Sequence, residues 1–511
     1  MAKPPKKPSG AAAGCLASAA QRVCCGRCPR SQARPAAASS RAGPAAASAE
    51  DAGHYLGGTS DVQGADLSKV THMAVRRDLT PSSAKLVLVM VGLPARGKSF
   101  ISMRIQTFLT WLGLETKIFN VGQHRRKNET ADQDADYFDP SNASSQNARD
   151  ALAMEVLDTL LGWLDSRQQG AAIFDATNST VERRRLVRDH VLRHNPAYAV
   201  IFVESLCDDP EVLEANVRMK LSKSPDYAGV PYEEAKADFM ARIRNYSDAY
   251  EPLDNAGERE VDLSYIKLVN LSSHLVAHRV YGSVTMSLLP YLMALHISPR
   301  PVWLVRMAHS RTTMASWRTH SNGHWPPPST LTFGDQAMSR KGAEYAARLA
   351  AFAKRHEEMR SARAFACSHR RALDMAELLD AAGERTFVRS FLNPMDWGAY
   401  DGIRRKDFEA NTSSEFYESF RRDPVNTRFP GGESYADFVR RLMTVLVEVE
   451  QQLEPVVVIA PLTSLQVLNC YFERRPVSEA SEVQIPQHTV VEWRPDGGNF
   501  VRRVFSEAEL C

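Results

Sequence analysis

Eight consecutive residues, Gly92-Leu93-Pro94-Ala95-Arg96-Gly97-Lys98-Ser99, carry the pattern G-x-x-x-x-G-K-S. Glycines at this spacing let backbone N–H groups curl around phosphate oxygens, the lysine reaches the β- and γ-phosphates, and the hydroxyl of Ser99 suits Mg²⁺. A bare glycine turn is the plain alternative. The motif, however, stands between a β-branched apolar run and a helical pattern, where a phosphate grip has to stand. The expectation is a site for ATP and Mg²⁺ that transfers the γ-phosphate to a small molecule.

A second candidate is Asp175, which closes the run Ala171-Ala-Ile-Phe-Asp175. Ligands of open α/β sheets sit beyond the C-terminal ends of strands, so Asp175 should face the same phosphates. There it holds the metal, or it accepts a proton from an acceptor hydroxyl. Capping the next helix is compatible with either role. Cations crowd the same edge: Arg125, Arg126 and Lys127 follow one expected strand, and Arg183, Arg184 and Arg185 open an expected helix. Three cations at a helix N-terminus oppose its dipole and require an anion. A phosphorylated acceptor would supply it, because arginine grips phosphate bidentately. For any single arginine a solvated charge run is the alternative.

The elements that must position these groups read as alternating strands and helices. Residues 85–91 form a continuous apolar run, as a strand covered on both faces should. A helix follows, with Phe100, Met103, Ile105, Phe108 and Leu109 apolar and Gly113 as its stop. Strands are expected at 116–121, 171–175, 198–205 and 265–270, and helices at 146–164, 181–194 and 232–246. This alternation implies a parallel sheet with helices on both faces. A second α/β block begins near Pro301. It has expected strands at 302–305, 364–367 and 456–459, helices at 339–356, 371–382 and 434–453, and a loop insertion at 314–330.

Composition bounds the rest. A chain of 511 residues with 44% hydrophobic and 24% charged residues is globular and long enough for two or three domains. The net charge of +3 hides an asymmetry: residues 1–49 hold eight Lys or Arg and no acidic residue, leaving the remainder at −5. An acidic body argues against nucleic acid as a partner. No apolar run is long enough to span a bilayer. The eight cysteines form no disulfide framework, and with no secretory h-region the expected address is the cytosol. Residues 1–80 are rich in Ala, Ser, Pro and Arg and read as a disordered basic tail. Its Cys24-Cys25-Gly26-Arg27-Cys28 cluster is open to lipidation or to a degenerate targeting leader; zinc is unlikely for want of a second ligand pair.

The segments GLPARGKS, FNVGQHRRK (119–127), IFDATNST (173–180), FVESLCDDP (202–210), SPDY (224–227) and YEPLD (250–254) together resemble the kinase half of the 6-phosphofructo-2-kinase/fructose-2,6-bisphosphatase family. GGESYADFVRRL (431–442) and PQHTV (486–490) resemble its second half. The resemblance runs in unbroken order over about residues 84–505. It implies a P-loop kinase domain at 81–298 and a histidine-phosphatase, phosphoglycerate-mutase-like domain at 299–511. It implies fructose 6-phosphate as acceptor, held by Arg125, Arg149, Thr177, Arg183, Arg242 and Tyr246. It also implies ATP contacts along 216–221, among them Asn216 and Lys220, and a homodimer. The family carries a lysine where an ungapped match places Leu221; a one-residue shift hands that role to Lys220. Cys207 matches a family cysteine near the site, but phosphoryl transfer needs no nucleophilic thiol.

In the second half the family's chemistry needs a nucleophilic His after an Arg, a second His and a Glu acid. This chain reads Arg306-Met307-Ala308, Ala460-Pro461-Leu462 and Leu392-Asn393-Pro394 in those places. Met307, Pro461 and Pro394 can neither attack phosphorus nor move a proton. His309 and Asp396, two residues on, are the substitutes to weigh. The expectation is a 6-phosphofructo-2-kinase without bisphosphatase activity, whose second domain keeps a structural or regulatory role and a phosphorylated metabolite bound through Arg306. The competing readings are an ATP-binding scaffold without turnover and a kinase for another sugar phosphate.

Overall fold

A computed structural model describes residues 85–128, 135–139, 141–253, 263–271, 273–310, 337–380, 385–401 and 408–510. The basic tail with its cysteines, the expected insertion at 314–330, Asp254 and the end of the expected helix 371–382 lie outside the described residues.

The first sheet is built from β1 (Lys85–Val91), β2 (Thr116–Asn120), β3 (Gly170–Asp175), β4 (Ala199–Leu206), β5 (Tyr265–Val269) and β6 (His274–His278), in the order β2-β3-β1-β4-β5-β6. Around it lie α1 (Lys98–Trp111), α2 (Val121–Asn128), α3 (Ala143–Asp165), α4 (Val181–His194), α5 (Pro210–Lys223), α6 (Tyr232–Asp248) and α7 (Ser283–Ala294). β1 explains the architecture. Leu86, Leu88 and Met90 enter one apolar cluster while Val87, Val89 and Val91 enter another. A strand buried on both faces has to be central.

The second sheet contains β7 (Val302–Arg306), β8 (Arg363–Ala366), β9 (Thr386–Val388), β10 (Val456–Ala460), β11 (Val490–Asp496) and β12 (Asn499–Phe505), in the order β12-β11-β7-β10-β8-β9. Its main helices are α8 (Arg340–Arg355), α9 (Arg370–Leu379), α10 (Ser414–Arg422), α11 (Tyr435–Gln451) and α12 (Leu462–Glu473).

The pairing is mainly parallel, as expected, with antiparallel strands at the edges: β6 runs antiparallel to β5, and β11 runs antiparallel to both β7 and β12. Tight turns are the reason for the β5–β6 and β11–β12 pairs. Asn270 and Leu271 both have positive φ between β5 and β6, as do Gly497 and Gly498 between β11 and β12. Two successive left-handed residues close a hairpin, which forces antiparallel pairing. Arg125, Arg126 and Lys127 follow β2, as expected, and lie in the last turn of α2, where the dipole favours cations.

The two sheets share one apolar cluster, in which Leu86, Ile101, Phe108 and Trp111 join Val302, Leu304, Val467 and Tyr471. Helix α1 is the shared element. The indole of Trp111 donates to the carbonyl of Val467 at 2.7 Å, and Phe108 stacks on Tyr291 at 4.1 Å. Arg104 meets Glu450 at 2.7 Å, both buried, and the Tyr471 hydroxyl donates to the other carboxylate oxygen at 2.8 Å. Removing one member of a buried pair leaves an uncompensated charge, at about 3 kcal/mol or more. Glu450→Gln should therefore lower the thermal unfolding midpoint clearly, and Arg104→Met combined with Glu450→Leu should recover most of the loss.

Candidate functional site

The phosphate loop leaves β1 at Val91 and enters α1 at Lys98. Gly92 has φ 135°, and a Cβ there would lie 2.6 Å from the carbonyl oxygen of Ser205. Gly97 has φ 86° at the helix N-cap. Both glycines are thus demanded by backbone geometry. Neighbouring strands hold the loop: Gly92 N–H donates to Thr177 O at 2.9 Å, Ser205 Oγ donates to the Arg96 carbonyl, and Asn216 Nδ2 donates to Ala95 O at 3.0 Å. The buried Asn178, at φ 45°, donates to Met90 O at 2.7 Å and locks the end of β3 beside β1.

Lys98 is buried and donates to Leu93 O at 2.6 Å. Burial pulls its pKa down to about 8, against an upward pull from Asp175. Asp175, also buried, stands where the strand-end rule places it. Its Oδ2 accepts from Ser99 Oγ at 2.9 Å and from Asn120 Nδ2 at 2.5 Å. Asn120 also accepts from Gln123 N–H at 2.8 Å, fixing the start of α2. The sequence reading passed over Asn120, although it closes β2 as Asp175 closes β3, and the same strand-end rule finds it.

A cleft of about 1780 Å³ joins this loop to the arginines. Pro94 to Ser99, Arg125, Arg149, Asp175, Thr177, Arg183, Asn216, Lys220 and Tyr246 all line it. Arg242 does not. It lies buried behind the wall, 2.8 Å from Asp238 and 3.5 Å from Asp226, with its guanidinium 4.7 Å from the centre of the Phe138 ring. Phe138 is a hub, since Arg125 and Arg149 also stand over its face at 5.2 and 6.0 Å and Tyr246 packs at 5.8 Å. Asp226 is the matching anion, 2.8 Å from Arg125 and 3.7 Å from Arg126. Neither Phe138 nor Asp226 was singled out from the sequence, though Asp226 sits inside the SPDY segment.

The run Arg183 to Arg185 divides. Arg183 lines the cleft and pairs with Asp150. Arg184 is fully buried and donates to Glu251 O at 2.8 Å and to the carbonyls of Asn178 and Ser179 at 3.3 Å, so it holds the β3–α4 loop and is closed to a ligand. Arg185 is exposed and does not line the cleft. The anion expected at this helix start is supplied from within the chain: Glu251 Oε2 accepts from Val181 N–H at 2.7 Å.

Helix geometry separates Lys220 from Leu221. Leu221 is buried against Val217, Tyr227 and Phe239, whereas Lys220, one residue earlier on α5, lines the cleft within electrostatic reach of Asp175 and Asp226. Cys207 lines the cleft with its thiol pKa raised by burial, so it stays a protonated thiol.

In the second sheet, Arg306 pairs with Ala460 across β7 and β10, and Ser464 Oγ donates to Leu392 O at 2.8 Å. Met307, Pro461 and Pro394 are thereby gathered at one strand end. Met307 is buried with its sulfur 3.4 Å from Cys367 Sγ. Arg441 donates to Pro394 O at 3.1 Å. Arg306 donates to Ile485 O at 2.9 Å, and Arg371 to Ala308 O at 2.7 Å. His309 is engaged with Ser339 Oγ, the cap of α8, at 2.9 Å, and Asp396 accepts from Gly398 N–H at 2.8 Å.

Residues 76–299 match the 6-phosphofructo-2-kinase family, and residues 332–507 match the histidine phosphatase superfamily (branch 1). The 6-phosphofructo-2-kinase/fructose-2,6-bisphosphatase of Caenorhabditis elegans is 34% identical over 415 residues, 80% of this chain and 86% of that one. The protein of the same name from Gallus gallus is 34% identical over 410 residues, 80% and 82% of the two chains. Among solved structures, an alpha-ribazole phosphatase from Shigella flexneri matches 40% of this chain and 96% of its own at 15% identity, with a TM-score of 0.33.

Holding a desolvated ammonium costs stability. The fall of the Lys98 pKa from 10.5 to about 8 corresponds to about 3 kcal/mol. The hydrogen bond to Leu93 returns about 1 kcal/mol. Lys98→Met should therefore raise the unfolding midpoint, which a thermal scan at neutral pH reads directly.

Proposed function

The chain belongs to the 6-phosphofructo-2-kinase/fructose-2,6-bisphosphatase family, and on that premise we propose that its cleft transfers the γ-phosphate of ATP to the 2-hydroxyl of fructose 6-phosphate, while the second domain has lost bisphosphatase chemistry. The domains of this reading are 81–298 and 299–511. The observation that carries it is the meeting of two half-sites in one cleft: Lys98, Ser99 and Asp175 on one side, and Arg125, Arg149 and Arg183 on the other.

The loop N–H groups and Lys98 hold the nucleotide phosphates, with Asn216 and Lys220 along the same wall. Arg125, Arg149 and Arg183 hold the sugar phosphate, with Thr177 and Tyr246 beside them, so that the hydroxyl approaches phosphorus in line. Arg242 acts from behind by fixing Asp226 and Phe138. The hydroxyl oxygen forms the new bond to phosphorus as the bond to the β-bridging oxygen breaks and ADP leaves. Ser99 and Asn120 both donate to Oδ2 of Asp175, which leaves Oδ1 to take the hydroxyl proton. The Ser99 hydroxyl at the start of α1 and the Asp175 carboxylate at the end of β3 are hard oxygen donors and fit Mg²⁺, which would neutralise charge on the phosphates. No helix among the described residues is long and apolar enough to cross a membrane. A cytosolic address, a homodimer and a phosphorylated metabolite at Arg306 belong to the same reading.

Loss of the bisphosphatase is supported by what surrounds Met307. His309 is engaged through Nδ1 with Ser339, the cap of α8, and the side chains of Pro394 and Pro461 carry no proton to give.

The test is a paired assay on the full chain. ATP, Mg²⁺ and fructose 6-phosphate should yield an acid-labile 2-phosphorylated product, whereas fructose 2,6-bisphosphate should release no phosphate. Asp175→Asn should cut the kinase rate by about 10²-fold or more. ATP bound without turnover would favour a scaffold; turnover confined to a different sugar phosphate would move the acceptor.

ATP affinity should also depend on pH. Lys98 loses its proton above about pH 8, and the phosphates bind the protonated form. Binding must therefore take up a proton at higher pH. The dissociation constant should be flat below pH 7 and rise towards tenfold per unit above 8. Lys98→Arg, which stays charged, should flatten the profile.

A further inference from the structure

The cleft is larger than one small-molecule site requires, about 300 to 1,000 Å³. Its far end leaves the phosphate loop and runs between the two sheets, where Arg104, Arg300, His296, Glu450 and Phe500 line it. Neither the ATP nor the sugar-phosphate reading uses these groups.

Two guanidinium groups line this end of the cleft, and a third stands behind it within electrostatic reach of Arg104. Arg104 and Arg300 are buried, and Arg474 lies just behind the β11–β12 turn, donating to Gly498 O at 2.8 Å. Arg300 donates to Val449 O at 2.6 Å and to Glu450 O at 3.2 Å. The carboxylate facing them is that of Glu450, and it is already spent on Arg104 and on the Tyr471 hydroxyl. The cluster therefore carries two positive charges in excess. The Nε atoms of Arg104, Arg300 and Arg474 are all buried without a hydrogen-bond partner among the described residues. A neutral carbonyl or an aromatic face softens one buried guanidinium, but two surplus charges with three unmet donors favour an anion. Burial and the neighbouring Arg104 both pull the Arg474 pKa down, the direction expected of a cation short of partners.

We propose that the Arg104–Arg300–Arg474 cluster between the two sheets binds a small multiply charged oxyanion, at a site separate from the phosphate loop. Its position gives it a route to the first site, because Arg104 belongs to the same helix as Lys98 and Ser99. By linkage, whatever factor an anion at Arg104 imposes on nucleotide affinity, nucleotide imposes on anion affinity in return.

Inorganic phosphate and tungstate are the probes, applied to the full chain, and binding is read without turnover, so the outcome is independent of the kinase assignment. Crystals grown with ADP in the nucleotide site and soaked in tungstate should show an anomalous peak within hydrogen-bond distance of Arg300 and Arg104. In thermal scans at fixed ionic strength with ADP and fructose 6-phosphate saturating the first site, phosphate should raise the midpoint of the wild type. It should raise that of Glu450→Gln further, because the positive excess grows by one. Arg300→Gln should keep only the response that any excluded salt produces. Absence of tungstate from the cluster, or an undiminished phosphate increment in Arg300→Gln, overturns the proposal. Should Arg300→Gln fail to fold, the tungstate peak and the enlarged response of Glu450→Gln decide it.

Discussion

Between the two sheets the guanidinium of Arg104 and the carboxylate of Glu450 meet at 2.7 Å, with a tyrosine hydroxyl on the second carboxylate oxygen. Both side chains are buried, and the geometry of the pair tolerates little movement. Arg104 lies on the helix that starts at the phosphate loop, while Glu450 lies near the end of α11 in the second block. Helix α1 is therefore fixed at both ends, by the backbone cradle at Gly92 to Lys98 and by the opposite sheet at Arg104 and Trp111. A buried ion pair contributes little net stability against an apolar substitute, but it specifies one register. Register is what a phosphate grip needs, since a displacement of about 1 Å in a positioned group is enough to cost 10²-fold in rate.

The cationic half of the cleft is organised by a different means. Flexible arginines would lose much entropy on gripping a phosphate. Here Phe138 offers its face to three guanidinium groups, Asp226 draws Arg125, Arg126 and Arg242 together, and Asp150 holds Arg183. The side chains are ordered before any ligand arrives. The anions that order them are outnumbered by the cations, so positive potential remains for a phosphate. Arg184 shows the limit of reading charge from sequence. It stands between two arginines of the same run, yet it is buried against three carbonyls and serves the loop.

What the sequence made legible follows from local physics. β1 was readable to the residue because burial on both faces leaves an unbroken apolar run, and the phosphate loop because its glycines sit at forced dihedrals. Asp175 followed from the strand-end rule, and Asn120 was available to the same rule. The antiparallel edges were less legible, although Gly497-Gly498 is a turn signal once two flanking strands are granted. Lys220 could not be separated from Leu221 by alignment alone. One residue along a helix is a rotation of about 100°, and only the packing of Leu221 into an apolar cluster shows which side chain turns to the cleft. The interdomain cluster was illegible, because Arg104, Arg300, Glu450 and Arg474 are distant in sequence and unremarkable in type.

The same interface bears on how the second domain keeps its fold with Met307 and Pro461 at one strand end. Met307 retains the backbone bond of its strand, N–H to Ala460 O at 3.1 Å, and its side chain fills the space with sulfur against Cys367. Pro461 occupies the N-cap of α12, outside the helix ladder, where a missing N–H does little harm. Apolar side chains at these positions bring no buried donor or acceptor that needs a partner, so they cost the fold little. Discarding the domain is a different matter, since Trp111, Phe108 and Ile101 of α1 are buried in a core that includes Val467 and Tyr471 of α12. α12 begins beside Pro461 and ends against the helix that carries the phosphate grip. The second domain is thereby tied to the position of that helix, whatever chemistry it performs itself.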